Sequence, residues 1–197
     1  MGYICVMKKV LAHFEKVDPV LHKAALQVGL FELDFYNKRQ NHFENLCREI
    51  TNQQLSNKAG DTIFGRFKKL FPKEIPEPEL VLKFDDQTIR DVGMSWAKVR
   101  YVKDLADKVL KKEVDIENLD KLSDEEVMSE LTKVKGIGPW TVEMYLMFTL
   151  GRPDVFSLGD LGLKRAIQKL YGMKKEPTKK QMEQMSKKWS PYRTYAA

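Results

Sequence analysis

The stretch Leu131–Leu170, LTKVKGIGPWTVEMYLMFTLGRPDVFSLGDLGLKRAIQKL, decides the fold of this chain. It places the glycine hairpin Gly136-Ile137-Gly138 between two segments whose apolar residues recur at helical spacing. Glycines allow positive φ and let a second chain approach the backbone. Pro139 fits the first position of the next helix, where unpaired N–H groups and the helix dipole favour an anion. We therefore expect a helix–hairpin–helix that holds a phosphate, with an ordinary glycine-capped corner as the alternative.

Helical patterns continue through most of the chain and predict an all-α fold. A capping box at Ser123–Glu126 starts the helix before the hairpin, and Ser95 caps an earlier helix. The proline-rich residues 71–78 predict an extended connection. The alternating residues 31–35 are too few to decide whether a short strand lies there. The other predicted helices are Pro19 to Gly29, Asn41 to Thr51, Ser56 to Leu70, Asp86 to Val92, Leu161 to Leu170 and Lys179 to Trp189.

Three motifs occur in the same order as in one known family. Residues 50–59, ITNQQLSNKA, resemble the Q-Q-x-S-x-K-A helix pair of the helix-hairpin-helix (HhH-GPD) DNA glycosylase superfamily. Residues 131–141 resemble its hairpin, and residues 189–195, WSPYRTY, resemble its W-x-P-[WY]-R-[ST] ending. The three cover most of residues 40–197 and, within the superfamily, resemble 3-methyladenine DNA glycosylase II.

The resemblance implies a fold and an activity. The fold is a single domain over residues 1–197, in which two helical lobes flank a cleft. One lobe is expected at residues 1–85 plus 171–197, and the other, with the hairpin, at residues 86–170. The implied activity is that of a base excision repair enzyme, which flips a damaged base out of double-stranded DNA. It would hydrolyse the N-glycosidic bond of alkylated purines such as 3-methyladenine and 7-methylguanine, and leave an abasic site.

Asp160 is the candidate catalytic residue. It follows Trp140 by 20 residues, the separation expected for the family's catalytic aspartate. An Asp before a helix is usually an N-cap, and the same position favours its ionised form. An ionised carboxylate suits a transition state that resembles an oxocarbenium ion. Alkylated purines already carry positive charge, so the absence of an obvious second catalytic carboxylate fits them. Asp154 is the nearby rival, and its place before Val155-Phe156 indicates a structural role.

The residue after the hairpin predicts the type of reaction. Relatives that also nick the backbone carry a lysine right after G-x-G-x, and its amine forms a Schiff base with the sugar. This chain has Trp140 there, while Lys135 precedes the glycines, so we expect a monofunctional glycosylase without lyase activity. Trp140 is also a candidate wall of the base pocket, with packing in the core as the alternative. The resemblance adds Met144 and Leu161 to that pocket, where one bacterial type has tyrosines.

The resemblance assigns DNA contacts to the Q-Q turn, the hairpin and nearby lysines. Gln54, flanked by Gln53 and Leu55, falls where the family wedges a side chain into the duplex; inward packing of Leu55 is the alternative. The family's hairpin also binds Na⁺ or K⁺ through backbone carbonyls. The remaining assignments are Lys133, Lys135, Gly136, Gly138 and Lys164 for DNA, and the carbonyls of Thr132, Val134 and Ile137 for the cation.

Composition narrows the class of protein. A net charge of +6 over 197 residues suggests a polyanionic partner. With only Cys5 and Cys47, the chain lacks the cysteines for an iron–sulfur cluster, a zinc set or a disulfide framework, so no cofactor beyond the cation is expected. No signal-peptide core or apolar run of about 18 residues is visible, which predicts no membrane association. We expect a monomer inside the cell, in the cytoplasm of a prokaryote or the nucleus of a eukaryote. The family's last helix extends past the position of Ala197 and often supplies a pocket aromatic, so the chain looks truncated there.

Two other functions remain open at this point. The first is a non-catalytic protein that binds DNA structures and retains the hairpin. The second is a glycosylase for another damaged base, including the strand-nicking type that acts on oxidised bases. Replacing Asp160 by asparagine distinguishes the first of these from the enzyme, because an enzyme would lose base release and retain duplex binding. Trp140 argues against the strand-nicking type.

Overall fold

A computed structural model describes residues 2–28 and 41–197, and in that part of the chain every regular element is a helix. The all-α prediction is therefore confirmed. The candidate strand at residues 31–35 lies outside the described residues. The α-helices are α1 (Gly2–Val17), α2 (Pro19–Val28), α3 (His42–Asn52), α4 (Asn57–Lys68), α5 (Pro78–Lys83), α6 (Asp86–Asp91), α7 (Trp96–Leu110), α8 (Asp124–Leu131), α9 (Pro139–Phe148), α10 (Leu161–Leu170), α11 (Lys179–Lys187) and α12 (Arg193–Ala196).

Capping side chains set the helix starts that the sequence predicted. Ser95 accepts the N–H of Lys98 at the start of α7. The capping box of α8 is complete, because the Ser123 hydroxyl accepts the N–H of Glu126 and the Glu126 carboxylate accepts the N–H of Ser123. Each such cap stabilises a helix by about 1 kcal/mol. The boundaries at these caps are therefore local properties of the sequence.

The proline-rich connection at residues 71–78 was predicted to be extended, and this is confirmed only in part, because Phe71, Ile75 and Glu77 have extended φ and ψ. Pro72 begins a short 3₁₀ turn, Pro72–Glu74, and Pro78 begins α5. Proline fits the first turn of a helix because its missing N–H would be unpaired there in any case. The segment also packs: Phe71 stacks edge-on against Phe67 and Phe84, with ring centroids 4.9 and 5.4 Å apart.

The chain divides into two compact units. In the described residues, the first unit comprises 2–28 and 146–197, and the second comprises 41–145. The predicted lobes instead had boundaries after residues 85 and 170. The division differs because α3 and α5 pack on α7, which keeps residues 41–85 with the hairpin segment, and because α10 packs on α2. The hairpin therefore belongs to the second unit and Asp160 to the first.

The core of the first unit surrounds a buried carboxylate. Asp18 caps α2 by accepting the N–H of Leu21, and it also accepts hydrogen bonds from Trp189 Nε1 at 2.9 Å and from the Tyr171 hydroxyl at 2.7 Å. Burial opposes ionisation of Asp18, but these donors outweigh it and hold the pKa of Asp18 below its usual range. Phe156 packs edge-on against Trp189, which ties the loop before α10 to this core.

The second unit is built on the apolar faces of α3, α4 and α7. Leu46 and Ile50 of α3, Phe67 of α4, and Val102 and Leu105 of α7 are fully buried. Burial of each such side chain contributes about 1.5–3 kcal/mol. Within residues 2–28 and 41–197, no helix combines the length and the apolarity needed to cross a membrane.

Candidate active site and nucleic-acid interface

The hairpin between α8 and α9 is a short turn anchored by two buried apolar side chains. Val134 and Ile137 are buried, and the N–H of Ile137 donates to the carbonyl of Val134 at 3.1 Å. Gly136 lies between them at φ +85°, in the left-handed region that favours glycine. The sequence prediction of a tight glycine turn at this position is what the backbone shows.

The two glycines of the hairpin have different surroundings. A Cβ at Gly136 would lie 2.1 Å from Cδ2 of Tyr101, so the aromatic ring of α7 occupies the space that the missing side chain leaves. At Gly138, which is not in the left-handed region, no heavy atom of the described chain lies within 4 Å of an added Cβ. Both glycines were predicted to admit a second chain. Tyr101 already fills that approach at Gly136, and only Gly138 leaves it open.

Polar side chains hold the hairpin backbone from two sides. From α7, the Asp104 carboxylate accepts the N–H of Lys135 at 2.8 Å. From the turn after α3, Gln53 Nε2 donates to the carbonyl of Gly136 at 2.8 Å and to the Thr141 hydroxyl at 3.2 Å. Burial opposes ionisation of Asp104, but the hydrogen bonds from Lys108 and Lys135 outweigh it and lower the pKa of Asp104. The hairpin is therefore preorganised by its own unit.

The turn after α3 is fixed by a lysine of α7. Lys98 Nζ donates to the carbonyls of Thr51 and Gln53, each at 2.8 Å. A cation at the C-terminal end of a helix also complements the helix dipole. Burial lowers the pKa of Lys98. No sequence pattern predicted this contact, because Lys98 lies far from the turn along the chain.

In the Q-Q turn, one glutamine is exposed to solvent and the side chain of the other is hydrogen-bonded within the protein. The amide N–H of Gln53, predicted to contact DNA, donates to the hairpin instead. Gln54 is exposed, and it holds a left-handed φ of +58°. A non-glycine residue in this region costs about 1 kcal/mol or more and often marks a functional position. Leu55 is 39% exposed, so the alternative of inward packing does not apply to it.

The three lysines assigned to DNA all have acidic neighbours. Lys133 Nζ lies 2.6 Å from the Glu130 carboxylate, and Lys164 Nζ lies 3.0 Å from that of Glu176. Lys135 Nζ lies 3.5 Å from Asp104, and its side chain is 75% exposed. Surface pairs of this kind contribute about 0–1 kcal/mol, so a phosphate can compete for these ammonium groups. Lys135 is the most exposed of the three.

The start of α9 carries the predicted pocket residues. Trp140 is 44% exposed, which excludes the alternative of a tryptophan packed in the core. Met144 is half-buried. On the next stripe of the helix, the buried Tyr145 hydroxyl is hydrogen-bonded to Nδ1 of His42 at 2.6 Å, and burial raises the pKa of Tyr145. No sequence pattern predicted this pair, because the three histidines show no common spacing.

The loop before α10 contains both candidate carboxylates. Asp160 is half-buried and caps α10, accepting the N–H of Leu163 at 2.8 Å, and Leu161 beside it is 62% exposed. Asp154 instead accepts Arg193 Nε at 2.8 Å, Arg193 Nη2 at 3.1 Å and the Ser190 hydroxyl at 2.7 Å. Burial opposes ionisation of Asp154, but these donors outweigh it and lower its pKa. The two acids thus divide as predicted into a cap and a structural anchor.

The motif at residues 189–195 has a structural explanation that the sequence did not provide. Arg193 binds Asp154, and the Thr194 hydroxyl donates to the carbonyl of Arg152 at 2.6 Å and accepts the N–H of Val155 at 3.0 Å. Residues 149–160, between α9 and α10, form a loop that we call the acidic loop. The arginine and threonine of the motif therefore hold the first half of the acidic loop in place. An acidic residue at Asp154 and a basic residue at Arg193 were the only features of the sequence that could have indicated this ion pair.

The monovalent cation predicted at the hairpin would be bound by backbone carbonyl oxygens, which carry no net charge. The carbonyl of Val134 already accepts the N–H of Ile137, and a carbonyl oxygen retains a second lone pair for a hard cation. Backbone oxygens of Thr132, Val134 and Ile137 are therefore a suitable donor type for Na⁺ or K⁺, and the site remains a prediction. Among the residues that the structure describes, no group of three or more His, Cys, Asp or Glu side chains could hold a metal ion.

A helical chain with a preorganised glycine hairpin between α8 and α9, and an aspartate that caps α10, has the features of a helix-hairpin-helix protein. The family model for the HhH-GPD superfamily base excision DNA repair protein matches residues 47–191, and the chain belongs to this superfamily. It is 33% identical over 193 residues to DNA-3-methyladenine glycosylase 1 of Schizosaccharomyces pombe, with 97% of this chain and 85% of the relative covered.

Solved structures agree with this membership. The 3-methyladenine DNA glycosylase of Schizosaccharomyces pombe in complex with abasic DNA superposes with a TM-score of 0.87 at 33% identity, covering 95% of this chain and 92% of that one. A DNA-3-methyladenine glycosidase from Bacillus halodurans gives a TM-score of 0.71 at 38% identity, covering 80% of this chain and 73% of that one. The chain is thus related to 3-methyladenine DNA glycosylases.

Proposed function

We propose that the protein is a monofunctional DNA glycosylase that hydrolyses the N-glycosidic bond of alkylated purines in double-stranded DNA and leaves an abasic site. The observation that carries the proposal is Asp160, a half-buried carboxylate at the start of α10 that follows a preorganised hairpin. Its relatives are named as 3-methyladenine glycosylases, and one of them was solved with abasic DNA. These names support the substrate class, and the chemistry of Asp160 supports the reaction.

The proposed reaction needs one negative charge and a good leaving group. 3-Methyladenine and 7-methylguanine carry positive charge, so the base leaves with the electron pair of the glycosidic bond as a neutral molecule. The sugar is left with oxocarbenium character, which the Asp160 carboxylate stabilises. A water molecule then adds to the anomeric carbon and loses a proton. The N–H of Leu163 fixes the orientation of the carboxylate.

The absence of lyase activity is proposed from the residue that follows the hairpin. Trp140 occupies the position at which lyase relatives carry an attacking lysine. Lys135, on the other side of the glycines, is paired with Asp104. Trp140 and Met144 of α9 are proposed to contact the flipped base, since an exposed tryptophan offers a stacking surface, and the role predicted for Leu161 stays a prediction. Borohydride should therefore trap no covalent adduct between the protein and damaged DNA.

Binding of the duplex is proposed to use the hairpin and the Q-Q turn. The open backbone at Gly138 and the exposed Lys135 are suited to a phosphate, and Lys133 and Lys164 would exchange their acidic partners for DNA. The exposed, left-handed Gln54 is the proposed wedge, with Leu55 beside it. Affinity should fall steeply with salt concentration.

The decisive experiment is mass spectrometry of the bases released from methylated DNA by the wild type and by D160N. Asparagine is as good an N-cap as aspartate, so the fold of D160N should survive. Release should fall by about 10²–10³-fold, while duplex binding is retained. D85N is the matched control, because Asp85 caps α6 in the same way, accepting the N–H of Thr88 at 2.7 Å. Binding of damaged DNA without any released base would favour the non-catalytic alternative.

A further inference from the structure

The positive charge of the chain is concentrated in the residues that follow Asp160. Residues 161–188 contain nine lysine and arginine residues and two glutamates, which gives them a net charge of +7. The whole chain has a net charge of +6, so all other residues together have a net charge of −1. The excess charge that suggests a polyanionic partner therefore belongs to one segment of the first unit.

The loop between α10 and α11 folds back along α10. The N–H of Met173 donates to the carbonyl of Gln168 at 2.9 Å, and Gln168 Nε2 donates to the carbonyl of Met173 at 3.4 Å. Further along the loop, the Glu176 carboxylate lies 3.0 Å from Lys164 Nζ. The two exposed lysines between these contacts, residues 174–175, are therefore held beside the same stretch of α10.

An exposed basic stripe of α10 lies next to this loop. Arg165 and Lys169 are exposed and lie one helical turn apart. Their stripe is adjacent to the one that contacts the loop, because each directly follows a residue of that stripe in the sequence. At a rise of about 1.5 Å per residue, they lie about 8 and about 14 Å along α10 from its cap, Asp160. The basic stripe and the proposed catalytic residue thus share one helix.

The first turn of α11 adds two lysines at an unfavourable place. The helix begins with Lys179 and Lys180, and its first turn contains no acidic residue. Positive side chains at this end of a helix oppose the helix dipole, and neighbouring lysines repel each other. Arrangements that cost stability in this way are expected where residues serve binding.

The exposed basic residues of α10, of the loop and of the first turn of α11 form what we call the basic surface: Arg165, Lys169, Lys174, Lys175, Lys179 and Lys180. Within residues 2–28 and 41–197, no carboxylate lies within 4.0 Å of any of their charged nitrogens. The two acids of the segment bind other lysines, since Glu176 is paired with Lys164 and Glu183 with Lys187. Both hairpin lysines, in contrast, have a carboxylate neighbour.

We propose that the basic surface binds phosphates of double-stranded DNA outside the lesion and retains the enzyme on undamaged DNA while it searches for a damaged base. Contacts of lysine and arginine with phosphates do not depend on base sequence, so they permit the sliding and hopping that a search requires. DNA is the polyanion on which the superfamily acts, and α10 joins the basic surface to Asp160. The inference rests on DNA as the substrate of the proposed function, but it concerns binding without a lesion and without catalysis.

The first test measures the affinity of the wild type and of R165Q/K169Q/K174Q/K175Q for a lesion-free duplex oligonucleotide at several salt concentrations. The variant should bind about 10²-fold more weakly at about 0.1 M salt, because four phosphate contacts are lost. The slope of log Kd against log salt concentration should fall by about 3 for the same reason. An unchanged slope would overturn the proposal.

The matched control is K8Q/K9Q/K69Q/K83Q, which removes the same charge from exposed lysines of other segments. Its affinity for the lesion-free duplex should stay within about threefold of the wild type, and its slope should not change. An equal loss of affinity in both variants would mean that net charge alone governs binding, which would also reject the basic surface.

The second test uses the unaltered protein, so it decides the question even when the fourfold variant does not fold. Acetylation of exposed lysines, read by mass spectrometry, should be suppressed by the lesion-free duplex at Lys174, Lys175, Lys179 and Lys180, and should be unchanged at Lys8. Protection by polyglutamate but not by the duplex would indicate an acidic protein as the partner and overturn the assignment to DNA.

Failure of this inference is distinguishable from failure of the proposed function, because neither test depends on catalysis. A wild type that releases alkylated bases but shows no binding through the basic surface overturns this inference alone. A wild type that binds the lesion-free duplex through the basic surface and releases no base supports this inference and rejects the proposed glycosylase function.

Discussion

The hairpin of the second unit and the acidic loop of the first each contain a pair of identical residues with different surroundings. In the hairpin, Gly136 has a left-handed backbone under the ring of Tyr101, whereas Gly138 faces open space. In the acidic loop, Asp154 is bound by Arg193, whereas Asp160 caps α10. In each region one member has surroundings that indicate a structural role, and the other is the one proposed to function. Residue type alone does not distinguish the members of a pair.

The two regions also differ in how they are fastened. The hairpin backbone is held by side chains that come from other segments, Asp104 of α7 and Gln53 after α3. The acidic loop is held near its beginning by Arg193 and Thr194 of the chain's last helix. In both, a polar side chain bonds directly to loop atoms, which limits motion of a functional group and favours preorganisation.

The largest expected effect separates the two aspartates. D160N should lose base release by about 10²–10³-fold with little change in melting temperature, because asparagine still caps α10. D154N should show the reverse, with a loss of about 2 kcal/mol of stability and less than tenfold loss of release, because Arg193 keeps its charge but loses its carboxylate partner. Thermal melts and single-turnover release on both variants would measure this. Equal kinetic damage in the two would break the comparison.

The next effect separates the two glycines. G136A should destabilise the protein by about 3 kcal/mol, because alanine is strained at this φ and its Cβ overlaps the Tyr101 ring. G138A should change the stability by no more than about 0.5 kcal/mol, because its surroundings are open. Urea unfolding gives both values. G138A should nevertheless weaken binding of an abasic-site duplex, since its methyl group would occupy the space where we propose that DNA binds; unchanged affinity would remove Gly138 from the proposed interface.

A smaller effect is the pH dependence that Asp154 brings. Because its folded pKa is lowered, its contribution to stability is complete above the ordinary aspartate range near pH 4 and is lost as pH falls through the folded pKa. The free energy of unfolding of the wild type should therefore fall more than that of D154N between pH 6 and about pH 3. The two curves should converge in acid. Parallel curves would mean that the contacts with Arg193 and Ser190 contribute little.

The smallest effect concerns the two glutamines of the turn. Q53A should cost about 1 kcal/mol, because it removes the hydrogen bonds to Gly136 and Thr141. Q54G should stabilise the protein by about 0.5–1 kcal/mol, because glycine accepts the left-handed φ without strain. Guanidinium unfolding at pH 7 measures both. If Q54G also weakens base release while raising stability, the strain at Gln54 serves function.

The sequence predicted what depends on neighbouring residues. The caps at Ser95, Ser123 and Asp160, the glycine turn and the helical class all follow from short-range hydrogen bonding and apolar periodicity. Motifs in the right order predicted the superfamily. Long-range contacts could not be predicted from the sequence. The contact of Tyr101 with Gly136 and that of Lys98 with the end of α3 each join segments that are far apart in the chain.

The missed helix α5 and the lobe boundaries have the same explanation. Prolines at residues 71–78 argue for extended backbone only when nothing packs on them, whereas Phe71 joins an aromatic cluster with Phe67 and Phe84. Burial raises the pKa of Glu49 on α3, and the charge of Arg48 only partly opposes this. Burial depends on packing between distant segments, so the sequence could not distinguish Glu49 from the other acids.

The hydrogen bond from Gln53 to Gly136 joins residues that are 83 positions apart. Closing a loop of this length carries an entropic cost that a single hydrogen bond cannot offset, so the contact must form together with the packing of α3 and α7. The turn and the hairpin should therefore acquire their final shapes in the same late step of folding. In a refolding experiment, affinity for DNA should then appear only after helical circular dichroism has recovered.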